Sequence, residues 1–142
     1  MRALGLDIGS VRIGVAVSDP SGHIASPVTV LDARALACDL RPLVRLVEDY
    51  ETECLIVGLP LTLSGDEGPQ AQAVRGEAER LASAVGLPVE YADERLSSEE
   101  ARRSMAASGM SEKEMRGAVD KVAAAIILQG WLDARKVAVE RP

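Results

Sequence analysis

The chain has 142 residues, enough for one domain with a substantial core and too few for two. Hydrophobic residues make up 47% of it but are interrupted by charge every few positions, so no stretch reaches the roughly 20 apolar residues that span a bilayer, and no membrane partner is expected. A net charge of −6 argues against purely electrostatic binding of nucleic acid, and with no Phe, two Tyr and one Trp, base stacking cannot dominate recognition; phosphate and shape contacts by the 13 arginines remain open.

The first residues, Met1-Arg2-Ala3-Leu4-Gly5-Leu6-Asp7, carry an acid where a signal peptide needs its apolar run, so a cytoplasmic location is expected. Arg2 to Ile8 alternates as a strand, Gly9-Ser10 turns, and Arg12 to Ser18 returns as the second arm of a hairpin. Asp19-Pro20-Ser21-Gly22 is another turn, and Ile24 to Val30 reads as a third antiparallel strand with Pro27 at a bulge or edge. Asp32 can cap one helix through Leu36, Leu40, Leu43 and Val47, followed by a strand over Cys54-Val57. A loop from Gly58 leads to a helix that opens at Pro69, buries Ala71, Val74, Ala78, Leu81 and Val85, and stops at Gly86. Val89 to Ala92 is a fifth strand, Ser97 with Glu100 forms a capping box for a helix to about Ser108, and a last helix covers roughly Ala118 to Ala134.

The expectation is an α/β fold: an antiparallel three-stranded meander continued by two parallel strands into a mixed five-stranded sheet flanked by helices. Residues 1–138 are expected to form the single domain and 139–142 a short C-terminal tail. Cys38 and Cys54 are distant from each other and from the single histidine, His23, which argues against zinc ligation or a disulfide framework. Both cysteines are expected to be small core residues, and acid–base or metal chemistry falls to the carboxylates.

In a sheet of this kind the carboxyl ends of the parallel strands open onto the usual site. Asp7 stands at such an end within Gly5-Leu6-Asp7-Ile8-Gly9, where glycine lets a phosphate or metal approach; a turn-capping aspartate is the alternative. Asp93-Glu94-Arg95 follows the fifth strand, whose alternation turns Asp93 and Glu94 to opposite faces. Glu94 is the preferred ligand, sharing its face with Ala92, and Asp93 is the alternate. Asp120, at the start of an alanine-rich helix that must pack closely on the sheet, would be held near the strand ends. Three carboxylates converging on one edge suit divalent-ion chemistry at a phosphodiester, and oxygen ligands favour Mg²⁺ or Mn²⁺.

These blocks resemble the YqgF/RuvX family of RNase H-like nucleases, described both as Holliday junction resolvases and as pre-16S rRNA nucleases. The resemblance runs nearly end to end: Gly5-Leu6-Asp7-Ile8-Gly9 with Arg12-Ile13-Gly14-Val15-Ala16-Val17-Ser18-Asp19, Val57-Gly58-Leu59-Pro60 with Gly65 and Glu67-Gly68-Pro69-Gln70-Ala71, Asp93-Glu94-Arg95-Leu96-Ser97, and Val119-Asp120. It implies an RNase H-like fold in which Asp7, Glu94 or Asp93, and Asp120 are the catalytic metal ligands. It also implies a departure, because the acid usual on the fourth strand is replaced there by Gly58-Leu59-Pro60 and shifted to the fifth.

Gly9, Gly58 and Pro60, with Arg12, Arg75 and Arg95, are candidate contacts to substrate phosphates, the bland alternatives being turn residues and solvated surface. The implied activity is metal-dependent endonuclease cleavage at the 5′ end of the precursor of 16S rRNA, with the ribosome as a possible partner. The alternatives are a resolvase of four-way DNA junctions, working as a homodimer, and a non-cleaving module that binds RNA or RNA polymerase.

Overall fold

In the computed structural model, which describes residues 1–94, 103, 106, 107, 109 and 111–140, the chain order is β1 (Ala3–Ile8), β2 (Arg12–Ser18), β3 (Ala25–Asp32), α1 (Ala33–Cys38), α2 (Arg41–Asp49), β4 (Cys54–Leu59), α3 (Pro69–Val85), β5 (Val89–Asp93) and α4 (Glu112–Glu140). The sheet order is β3-β2-β1-β4-β5. β1 pairs antiparallel with β2 and β2 with β3, whereas β4 runs parallel to both β1 and β5. The expected mixed five-stranded sheet is therefore present. The expected capping box of Ser97 with Glu100, and Arg95 beside it, lie outside the described residues.

Pro27 sits on edge strand β3, and there Val15 pairs with Thr29 while Ala16 pairs with Pro27, leaving Val28 as the extra residue of a bulge. A residue without an N–H is tolerated at such a place. The single helix expected after Asp32 is instead two. Asp32 caps α1 by accepting from the N–H groups of Arg34 and Ala35, and Asp39 accepts from that of Arg41 as α2 begins. Pro42 supplies the reason: within one continuous helix it would lose a hydrogen bond and clash with the carbonyl one turn earlier. Leu36 and Leu43 still enter the same core.

β4 extends to Leu59, so Gly58 belongs to a buried strand and not to the loop. α3 begins at Pro69 and ends where Gly86 adopts a left-handed conformation, φ 72°, as expected. α4 begins six residues before Ala118, where Ser111 and Glu114 form a reciprocal capping box. Cys54 is buried, but Cys38 is exposed at the end of α1, against the expectation of two core cysteines. No helix among the described residues is long and apolar enough to cross a membrane.

The sheet's two faces differ in side-chain size. Leu4, Leu6, Val15, Leu55 and Val57 meet Leu36, Leu43, Val74 and Leu81 of the α1–α3 layer. On the other face Ala3, Ala16 and Ile56 lie under Ala124, Leu128 and Leu132 of α4. Glycine brings α4 still closer: a Cβ at Gly5 would stand 2.9 Å from the Leu128 Cβ, and one at Gly14 only 2.0 Å from the Asp120 carbonyl oxygen. Glycine inside a strand commonly marks such an approach of another backbone. Gly76 is the contrast, lying exposed in α3 with nothing within 4 Å of an added Cβ. Gly76→Ala should stabilise the chain by about 0.5–1 kcal/mol through lower unfolded-state entropy, measurable by urea denaturation.

Candidate active site

Alternation along β1 sends Leu4, Leu6 and Ile8 to the α1–α3 layer and Gly5 and Asp7 to the α4 side. Asp7 thus faces α4 from the carboxyl end of a central strand. Along β5, Tyr91 packs with the α1–α3 layer and Ala92 with the α4 layer, which puts Glu94 on the Asp7 side and leaves Asp93 exposed at the strand's end. Glu94 and Asp7 share a side-chain hydrogen bond.

Gly58 explains how the acid reaches its place from the fifth strand. A Cβ on Gly58 would stand 2.7 Å from Glu94 Oε2 and 2.9 Å from the Glu94 Cβ. The Glu94 carboxylate thus fills the space that a side chain at the end of β4 would take. Pro60 follows that strand, half-buried, and the Glu94 N–H bonds to the Leu59 carbonyl at 3.2 Å.

Asp120 arrives from the other direction. It is the ninth residue of α4, not a residue of its first turn, and the close contact at Gly14 sets its height above the sheet. Its Oδ2 accepts from Arg12 Nε at 2.9 Å, and Arg12 is held one turn beyond Asp7 by the hairpin bond from the Gly9 N–H to its carbonyl. A Cβ on Gly9 would lie 2.7 Å from that same carbonyl oxygen, so this tight turn excludes larger residues. The importance of Gly14 was missed in sequence; the available signal was a glycine inside a strand otherwise made of Ile, Val and Ala.

Burial, then the neighbouring Asp7 charge and the hydrogen bond to it, push the Glu94 carboxyl up to about 8. Burial also raises Asp7, as does the charge of Asp120, while the hydrogen bond from Glu94 acts in the opposite sense. The pair therefore carries a proton near neutrality, with Glu94 as donor and Asp7 as acceptor. Between its ordinary value and 8, Glu94 is protonated in the folded chain but ionised in the unfolded one. Its contribution to stability is present at low pH and is lost as pH rises through 8. With EDTA present, the melting temperature should fall from about pH 5 to about pH 8, and Glu94→Gln should flatten that slope. An equal slope in the variant would assign the titration elsewhere.

Arg75 lies on the other side of the sheet from the carboxylates. Arg75 donates to both carboxylate oxygens of Glu67, at 2.6 and 3.1 Å, and lies 4.3 Å from the centre of the Tyr91 ring, on the α3 side of the sheet. It ties the loop of residues 60–68 to α3.

By donor type the cluster fits a hard divalent cation: every ligand is a carboxylate oxygen, and a cation would relieve the repulsion that a proton now relieves. Among the described residues no group of three His, Cys, Asp or Glu side chains stands ready as a cation cage. Asp120 is held by Arg12, in an exposed ion pair worth at most about 1 kcal/mol that a stronger partner can displace.

Comparison with known proteins agrees with this architecture. The profile of the family described as "RuvX: Holliday junction resolvase" matches residues 1–134. A protein of Anaeromyxobacter sp. (strain K) named "Putative pre-16S rRNA nuclease" is 52% identical over 135 residues, covering 95% of this chain and 98% of its own. Its namesake in Moorella thermoacetica is 48% identical over 133 residues, covering 94% and 95%. Among solved structures, Thermus thermophilus RuvC in complex with a Holliday junction substrate superposes with a TM-score of 0.55 at 16% identity, over 96% of each chain. The fowlpox virus resolvase bound to Holliday junction DNA gives 0.53 at 11% identity, over 95% of this chain and 99% of that one. The structural likenesses establish a RuvC-like RNase H fold, and on the sequence match over nearly its whole length the chain belongs to the RuvX family.

Proposed function

We propose that the chain is a divalent-metal-dependent endonuclease that hydrolyses phosphodiester bonds in the 5′ region of the 16S rRNA precursor, in the cytoplasm. The carrying observation is the meeting of Asp7 and Glu94, with Asp120 alongside, at the carboxyl ends of β1, β4 and β5. Asp7, Glu94 and Asp120 would hold Mg²⁺ or Mn²⁺, which supplies charge stabilisation at the phosphate and an acidified water. Asp7 and, in its ionised form, Glu94 would provide oxygen ligands. Asp120, here paired with Arg12, would be a third ligand, and the Arg12 guanidinium would be placed to pair with a phosphate oxygen. The names carried by relatives of nearly equal length support an RNA precursor as substrate.

The description of the family supports a second substrate within the same chemistry, a four-way DNA junction. Wild-type protein should be offered both a precursor 16S rRNA end fragment and a DNA four-way junction, with Mg²⁺ or Mn²⁺ and with EDTA. Cation-dependent cutting of the RNA at a defined site, faster than of the junction, is the expected result. Preferential symmetric cutting of the junction would transfer the reading to a resolvase, and binding of RNA without cutting would favour a non-cleaving module.

A further inference from the structure

On the opposite face of the sheet from Asp7, a cavity of about 360 Å³ opens between the β1–β2 hairpin, α1 and α3. Its floor is the buried pair Ile13 and Val74, its walls are Ala37 and Ala73, and Gln70 and Glu77 supply polar groups at its rim. The volume lies in the range of small-ligand sites, and an apolar slot with a few polar groups at its edge is their usual make-up.

Continuity with the candidate active site limits what that occupant is. Ile8 and Gly9 line the cavity and directly follow Asp7 in the chain. Ile8 ends β1 and Gly9 opens the turn, so the mouth lies beside the same carboxyl edge of the sheet at which Asp7 stands, on the other face. The turn residue Gly9 presents no side chain to a strand passing over the hairpin. Each of the three aromatic rings, Tyr50, Tyr91 and Trp131, already lies against an arginine, Arg2, Arg75 and Arg135. An aliphatic slot edged by the Gln70 amide and by Glu77, whose carboxylate is paired with Arg80, suits the faces and a polar edge of a heterocycle.

We propose that this cavity receives an unstacked nucleobase from a nucleotide flanking the scissile phosphate. The inference rests on the nuclease reading above. Ala37 and Ala73 are exposed and lie on different helices, so Ala37→Leu and Ala73→Leu each fill the slot from one side without entering the core. Cleavage of the precursor rRNA fragment should be compared with that of fragments carrying one abasic residue at each position flanking the cut.

For wild-type protein, one abasic position should lower kcat/KM about tenfold, the fold-change matching the lower part of the range for seating one base. Each leucine variant, melting near the wild-type temperature, should show that loss on the intact fragment and no further loss on the abasic one. Wild-type cutting that ignores every abasic position would overturn the inference while leaving the nuclease reading in place. Variants that slow intact and abasic fragments by the same factor would overturn it too, since the cavity would then hold something other than a base, such as a side chain of a protein partner. Absence of any wild-type cutting would overturn the nuclease reading and the base pocket with it.

Discussion

Asp7→Asn should reduce cleavage by at least about a thousandfold while leaving the protein folded and, in EDTA, slightly more stable than wild type. The first effect follows from losing a charged ligand whose interaction with a cation is asked to supply several kcal/mol of transition-state stabilisation. The second follows from the cost of the native charge. Asp7 is half-buried, and both burial and Asp120 work against its ionisation. Asparagine keeps the shape and can still accept the hydrogen bond from Glu94, but carries no charge to desolvate. A gain of roughly 1 kcal/mol would raise the melting temperature of a chain this size by a few degrees. Catalytic sites are often held at such a cost in stability. Cutting by Asp7→Asn at the wild-type rate would remove Asp7 from the chemistry, and a marked fall in its EDTA melting temperature would mean that the charge is structural.

The second large effect belongs to a residue with no functional group. Gly14→Ala should destabilise the chain by about 3 kcal/mol or more and impair cleavage in whatever fraction remains folded. The added Cβ would stand 2.0 Å from the Asp120 carbonyl oxygen and 3.0 Å from the Lys121 nitrogen. These are backbone atoms, so no rotamer change relieves the contact. Nor can α4 simply lift away, because Ala124 and Leu128 are packed against Gly5 farther along the same helix. The strain therefore falls where Asp120 is aimed. Urea denaturation measures the first effect, and cleavage per folded molecule the second. Gly76→Ala serves as the control in which the same methyl group meets open space.

That contrast shows what could be read in the sequence and what could not. The meander was legible because β1 and β2 alternate cleanly around Gly9-Ser10, and the edge position of β3 because Pro27 cannot donate a ladder bond. Strand parity alone separated Glu94 from Asp93, and the structure puts Glu94 on the side of Asp7. Asp120 was legible as a candidate but not in its setting. Its approach depends on glycine in β2 and its ion pair on Arg12, 108 residues away, and neither is encoded in the helix that carries it. The same holds at Gly58, which looked like a phosphate-holding loop residue until the Glu94 carboxylate was found in the space a side chain would need. Local signals misled in two places: helical spacing from Leu36 to Val47 concealed the break that Pro42 enforces, and the last helix begins at the capping box of Ser111, ahead of the Ala118 start expected.

Calorimetric titration of Mn²⁺ into the metal-free protein decides whether Asp7 and Glu94 with Asp120 form a divalent-cation site. At about pH 7, buffers of different ionisation enthalpy report the protons released. Because Glu94 holds a proton below about 8, binding should release close to one proton per chain; Glu94→Gln should bind more weakly without that release, and Asp7→Asn should not bind measurably. Mn²⁺ binding that is the same in wild type, Asp7→Asn and Glu94→Gln, or wild-type binding without proton release, would exclude a cation site on these carboxylates.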